Sequence, residues 1–319
     1  VRNKTNKRQY RVRNWPEYNA ALVQRGSLSV WIEESSLNTW HCCPSGKRGA
    51  PFLYSDAAIT MVLLLKIVYR LPLRGAQGMA QSILGLLGME LSVPHYSTLS
   101  RRQAKLSLEV PRLARRENLH LVVDSTGCKV YGEGEWKVRI HGKAKRRTWR
   151  KLHLGVDESS GEIIAAVLSS NNMGDGEVLP QLLDQVEEPI VQLSGDGGYD
   201  QSSCYQALHE RAQEQDHPLK VTTPPRHGAR IWKHGNSQGE KWARDENLRR
   251  IRQAGRKRWK EESGYHRRSL AETAMSRYKR IIGEKLQARD FSRQAKEAFI
   301  GIIALNRMTG LGMPQSYAC

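Results

Sequence analysis

Acidic residues are in short supply in this chain. Its 319 residues hold 32 Asp and Glu against 51 Lys and Arg, a formal net charge of +19. That is too much positive charge for an ordinary metabolic enzyme, and it points to a polyanionic partner. Cysteine is scarce too, with Cys42, Cys43, Cys128, Cys204 and Cys319 forming no CxxC pair. His41-Cys42-Cys43 lacks a second ligand pair at finger spacing, which argues against structural zinc. An odd, scattered set of thiols fits a reducing cytoplasm better than a disulfide framework. Long apolar runs are missing as well. The longest, Met61-Val62-Leu63-Leu64-Leu65, falls far below the ~20 residues that a bilayer span needs. The basic, polar start of the chain has no apolar segment of a secretory signal. A cytoplasmic protein with no membrane partner is expected.

The positive charge is clustered. Arg2, Lys4, Lys7, Arg8, Arg11 and Arg13 crowd residues 1–14, with no acid among them. Residues 137–151 hold Lys137, Arg139, Lys143, Lys145, Arg146, Arg147, Arg150 and Lys151, again without an acid. Residues 226–260 form a third basic run. One such run is commonly a solvated face. Three runs with Trp149, Trp232, Trp242 and Trp259 in or near them read as a nucleic-acid footprint, in which phosphates are gripped by charge and tryptophans wedge between bases. The same tryptophans could equally pin the third run to a core.

Hydrophobic periodicity divides the chain. Residues 1–14 are expected as a basic arm and 15–115 as an all-α DNA-binding region. Pro16 opens a helix there, Ser55 caps a longer one, and another spans about 73–87. After the turn at Ser92-Val93-Pro94, Tyr96-Ser97-Thr98-Leu99-Ser100-Arg101-Arg102 starts a further helix, with Arg101 and Arg102 placed for DNA. That pattern is compatible with a helix-turn-helix and with a plain helical bundle. From Leu119 the pattern turns to short apolar strands in the order β-β-β-α-β-α-β, a mixed sheet flanked by helices and extending to residue 310. Pro224-Pro225-Arg226 opens a basic insertion, 224–262, with no clear period. Helix resumes near Tyr265 and continues past Ile282, and 311–319 forms a tail.

Three acids stand out. Asp124 and Asp196 each end an apolar strand-like run, and Glu272 lies in the helical stretch. On a regular helix Tyr265, Arg268 and Lys279 fall on the stripe of Glu272. Taken alone, this could be a surface helix with ordinary ion pairs. Other acids have local explanations: Asp157 a hairpin turn, Asp175 and Glu177 a helix start, and Asp200, four residues past Asp196, the cap of the next helix.

The spacing Tyr265-x2-Arg268-x3-Glu272-x6-Lys279 resembles the Tyr-x2-Arg-x3-Glu-x6-Lys signature of DDE transposases from bacterial insertion sequences, and the surroundings resemble the insertion-sequence-5 family. Val123-Asp124-Ser125-Thr126-Gly127, Arg150-Lys151-Leu152-His153, Gly195-Asp196-Gly197-Gly198-Tyr199-Asp200 and Pro224-Pro225-Arg226 add to the likeness, which runs from about Trp15 to Met308.

The resemblance implies an RNase H-like, five-stranded α/β catalytic domain over 116–310, interrupted by the basic insertion. Asp124 would close the first strand and Asp196 the fourth, with Glu272 delivered by a helix packed across the sheet. It also implies catalysis with two Mg²⁺ ions, Mn²⁺ as substitute, held by Asp124, Asp196 and Glu272. Oxygen donors on separate elements suit those hard cations. Arg268 and Lys279 would contact phosphates and Tyr265 would position the DNA. Arg146, Arg147, Lys151 and Trp259 complete the expected contacts. The implied protein is a nucleoid-associated transposase. It binds terminal inverted repeats of double-stranded DNA, cuts the 3′ ends and joins them to target DNA as a homodimer or larger assembly. A nuclease or resolvase that only hydrolyses, and a non-catalytic DNA-binding descendant, are the alternatives.

Overall fold

The computed structural model describes residues 10–42, 51–115, 117–130, 149–233 and 242–319. Arg146, Arg147 and most of the basic arm therefore lie outside the described residues. The chain divides into two compact units, Val1–Leu99 with Ala304–Cys319, and Ser100–Ile303.

In the first unit, strand β1 (Tyr10–Val12) precedes helices α1 (Trp15–Gln24), α2 (Glu34–Asn38), α3 (Asp56–Val68) and α4 (Leu73–Leu86). The Ser55 hydroxyl accepts the Ala58 N–H at 3.1 Å, a cap of about 1 kcal/mol. Every residue from Met61 to Ile67 is buried, so α3 is the unit's central helix. Ala76, Ala80, Ile83 and Leu84 form the buried stripe of α4, at the expected helical spacing. Helix α5 (Tyr96–Gln103) follows the proline turn. One feature differs from the expected arm and tail. β1 pairs antiparallel with the strand Ser316–Ala318, so both ends of the chain enter a small sheet. Main-chain pairing of three residues leaves no signal in charge or hydropathy.

The second unit is built on a sheet. Strands β2 (Leu119–Val130), β3 (Trp149–Asp157) and β4 (Ile163–Ser170) form an antiparallel meander. Strand β5 (Ile190–Ser194) runs parallel to β2, and β6 (Lys220–Thr222) parallel to β5, in the order β4-β3-β2-β5-β6. Helices α6 (Asp175–Leu183) and α7 (Ser202–Glu214) cover one face. There Leu179, Leu182, Tyr205 and Leu208 pack with Leu119, Leu121, Val123 and Leu193. Strand alternation turns Val122 and Asp124 to the opposite face.

Three expectations are corrected here. The sheet has six strands rather than five, because β7 (Lys285–Leu286) pairs with Lys129–Val130; two residues are too few to show a strand period. The described part of the insertion is largely helix α8 (Ala243–Ser263), broken at Gly255 where φ is 82°. Its buried apolar positions, Leu248 and Trp259, are too sparse among arginines to reveal a helical period. The stretch read as one helix from Tyr265 is three. Gly264, at φ 73°, ends α8, and a 3₁₀ turn covers Tyr265–Arg268. Helix α9 spans Ser269–Arg277, and Tyr278–Ile282 makes a π-turn, the Gly283 N–H reaching the Tyr278 carbonyl at 3.0 Å. Helix α10 (Phe291–Leu311) follows.

Candidate active site

The site arises where the sheet opens. Strand β5 stops at Ser194 while β2 continues to Val130; their last register pair is Val122–Ser194. Asp124 and Asp196 stand two residues further along each chain, side by side at the fork. Asp124 therefore lies within β2 rather than closing it: its other neighbour is Leu154 of β3. β7 rejoins that side of β2 only at Lys129. Across the interval lie α9, which packs on β2 and β3, and the 3₁₀ turn, which touches β2 and β5.

Arg268 is the centre of this arrangement. Its Nη1 donates to Asp124 Oδ2 at 3.0 Å, and its Nη2 to Glu272 Oε1 one helical turn away. The guanidinium thus stands between two of the three acids. Asp124 Oδ1 accepts the Ser125 N–H at 2.8 Å. Asp196 Oδ1 accepts the Gly198 N–H at 2.8 Å, capping the 3₁₀ turn Gly197–Tyr199.

Burial raises the Asp124 pKa above the ordinary aspartate range. The Ser125 N–H and Arg268 pull it back, while the charges of Asp196 and Glu272 push it up. All three acids thus lie within one another's fields. Burial also raises the Tyr265 phenol, which feels Arg268, Asp196 and Asp124. Arg268 lies 5.7 Å from the centre of the Tyr265 ring. Tyr265, Arg268, Asp124, Asp196 and Glu272 therefore form one cluster.

Other expected contacts lie elsewhere. Lys279, one π-turn on, acts on Glu284 and Cys128, further along β2. Trp259 is 2 % exposed, donates to Asn247 Oδ1 at 3.1 Å, and packs 5.8 Å from Tyr265. It supports the cluster from behind and has no face for a base. Arg101 is exposed on α5, whereas Arg102 is buried. Lys151 turns into the site's flank, donating to Asp175 Oδ1 and to the Met173 carbonyl, each at 3.1 Å.

Asp175 is the residue that sequence reasoning placed elsewhere. A Cβ at Gly198 would meet Asp196 Oδ1 at 2.8 Å and Asp175 Oδ2 at 3.4 Å, so this glycine lets two carboxylates approach. Behind Asp175 sits His153, fully buried, with Nε2 2.8 Å from the Ser169 hydroxyl and Nδ1 3.5 Å from Asp175 Oδ1. Burial pulls the His153 pKa down to about 4 despite Asp175, so the ring is neutral near pH 7. The glycines flanking Asp175 in Gly174-Asp175-Gly176 were the available hint.

A family model for the transposase DDE domain matches residues 115–307, which include all of this cluster. The chain belongs to the DDE transposase family. A second model of the same description matches residues 23–133. Among solved structures, this DDE transposase is similar to the piggyBac transposase synaptic complex with hairpin DNA. Identity there is 11 %, with a TM-score of 0.40 over 90 % of this chain and 73 % of that one. It is also similar to the Drosophila P element transposase strand transfer complex, at 12 % identity and a TM-score of 0.27 over 65 % of this chain and 48 % of that one.

The donor set of the DDE cluster is oxygen alone, the chemistry that hard divalent cations select. Among the described residues no three His, Cys, Asp or Glu side chains close on one point. In this arrangement the Arg268 guanidinium, rather than a shared ion, balances Asp124 and Glu272. No helix among the described residues is long and apolar enough to cross a membrane.

Proposed function

We propose that this chain is a metal-dependent DNA transposase of RNase H-like fold, related to the insertion-sequence-5 group. It would bind the terminal repeats of its element, cut the 3′ ends and join them to target DNA. The reading rests on one juxtaposition: Asp124 and Asp196 at the fork of two parallel strands, with Glu272 brought over them by α9 and Arg268 between.

Asp124, Asp196 and Glu272 are the residues that would hold Mg²⁺ or Mn²⁺. Such ions, when bound as a pair, activate the attacking oxygen and stabilise the leaving one. The chain's own groups do the rest. Arg268 neutralises two acids that would otherwise repel each other. A DNA phosphate competes for that guanidinium, which is suited to planar, bidentate phosphate contact. Tyr265 backs Arg268 and limits its swing. The Ser125 and Gly198 N–H groups fix one oxygen each of Asp124 and Asp196, leaving the other oxygens toward the opening. Water and a sugar hydroxyl are equivalent nucleophiles for this arrangement, so one site would serve cleavage and joining. A homodimer or larger assembly on double-stranded DNA follows from the need to hold two ends together.

The test is incubation with duplexes carrying the ends that flank its own gene, with Mg²⁺, scoring nicked and joined products. Asp124→Asn, Asp196→Asn and Glu272→Gln should each abolish both products while leaving DNA binding largely intact. Nicking without joining, even from pre-cut ends, would make the protein a hydrolase. Full cleavage by Glu272→Gln would remove that residue from the chemistry.

A further inference from the structure

Four residues past Asp196, Asp200 was expected to cap the next helix. It does something else. Helix α7 begins without a side-chain cap, and Asp200 is buried against the basic segment instead. Its Oδ1 accepts from Arg244 Nε at 2.7 Å and its Oδ2 from the Arg226 N–H at 2.8 Å. Both side chains of the Asp200–Arg244 pair are almost fully buried, at 1 % and 5 % exposure. Arg244 also donates to the Arg230 carbonyl at 2.8 Å, and its guanidinium lies 3.8 Å from the centre of the Trp232 ring. Asp245 accepts the N–H groups of Trp232 and Lys233 at 2.9 and 2.8 Å.

The helix thus holds residues 225–233 by their main chain. Arg249, Arg252 and Arg256 of α8 donate to the carbonyls of Lys233, Ala229 and Pro225. At its near end the segment meets the Asp196 turn, where Arg226 Nε donates to the Gly197 carbonyl at 3.4 Å. Arg226, His227 and Arg230 are exposed along the same stretch. A row of cationic side chains is therefore fixed beside Asp196 by a buried ion pair whose acid belongs to the Asp196 loop.

We infer that the Asp200–Arg244 pair sets the register between DNA held by Arg226, His227 and Arg230 and the carboxylate of Asp196, which makes both members positioning residues of strand cleavage. Exposed cations fix where the phosphate backbone lies, and a buried pair has one low-energy geometry in which all its hydrogen bonds are met. The phosphate to be cut is then selected by a rigid distance from the basic row to the acid. The inference rests on the reading of Asp196 as a catalytic carboxylate.

The experiment uses the full chain, Mg²⁺ and duplexes carrying the flanking ends, with Arg244→Lys and Asp200→Asn. It measures affinity for uncut duplex, single-turnover cleavage, the nicked phosphate at nucleotide resolution, and thermal unfolding. Affinity should stay within about threefold, because the phosphate contacts are untouched. Cleavage should fall about 10²-fold, the cost of a displacement on the order of 1 Å at a reacting centre. Nicks should spread to neighbouring phosphates. A merely structural role would instead lower the rate in step with the folded fraction and leave the nick at one phosphate, and that result overturns the inference. Should the Arg244 variants fail to fold, Arg226→Pro is compared with Arg226→Ala. Only the first removes the N–H bound by Asp200, and equal nick patterns from the two overturn the inference as well. Asp196→Asn runs alongside. If it cuts DNA, the functional reading and this inference fall together. If it is inactive while Arg244→Lys cuts like wild type, only the inference falls.

Discussion

Replacing Trp259 by alanine separates two roles that its sequence context could not. The side chain is 2 % exposed, its indole N–H is bound to Asn247, and its ring lies against Tyr265. Truncating a buried tryptophan costs about 3–5 kcal/mol in transfer and cavity terms. A domain of comparable size loses roughly 2–4 °C of melting temperature per kcal/mol, so a drop of roughly 6–20 °C is expected. Trp259→Phe keeps most of the ring area but leaves Asn247 Oδ1 without its donor, a cost of about 1–3 kcal/mol. Asn247 meanwhile holds the Val221 carbonyl of β6 at 2.9 Å, so the loss is felt at the edge of the sheet. Thermal unfolding gives the stability, and a duplex titration over a range of salt, well below the melting point, gives the binding. Both variants should bind with unchanged salt dependence. If Trp259→Ala unfolds within a degree of wild type yet loses DNA affinity, the tryptophan faces DNA and the packing argument is wrong.

Other outcomes follow from the same geometry. Gly198→Ala would press a methyl against Asp196 Oδ1; stability should change little, while cleavage falls about 10- to 100-fold through misplacement with duplex affinity unchanged. Arg268→Gln removes the group that pulls the Asp124 pKa down against burial, so the acid ionises at higher pH. The acid-side half-point of Mn²⁺ binding, followed by calorimetry, should move up accordingly. His153 stays neutral in the folded protein down to about pH 4, whereas an unfolded chain protonates histidine near pH ~6.5. Its contribution is therefore complete above the ordinary histidine range and is lost as pH falls toward 4, with a slope of at most about 1.4 kcal/mol per pH unit. Urea titrations across that range should show the slope in wild type and a flatter one in His153→Gln. Duplex affinity should drop steeply between low and physiological salt, roughly one counterion per phosphate contact; a flat response would remove the basic runs from the interface.

Strands with a regular alternation or a continuous apolar run, such as 119–124, 151–157 and 190–194, were legible because burial imposes a pattern on every residue. So were α3 and α4, through Ser55 and a helical stripe. The acids of the cluster were found by their places at strand ends and by a spaced motif, before any contact was known. What escaped was held by polar bonds that leave no period. Helix α8 buries few apolar side chains and is kept in place by Asn247 and a set of arginines. Asp200 looked like a cap because it precedes a helix, while its partners Arg226 and Arg244 lie 26 and 44 residues away. Asp175 likewise has a sufficient local explanation at a helix start, and only the fold brings it beside Asp196.

The π-turn at Tyr278–Ile282 makes the length of the signature stretch a mechanical constraint. A wide turn of this kind accommodates one residue more than an α-helix would, and such turns cluster at functional places. Deleting a single residue there would let the helix become regular while rotating everything downstream by about 100°. It would also drag Lys285 and Leu286 one step along Lys129 and Val130, reversing which side chain faces inward. The spacing between Glu272 and the strand that follows is thus set by a gear-like mesh with β2, and a shortened chain would slip a tooth.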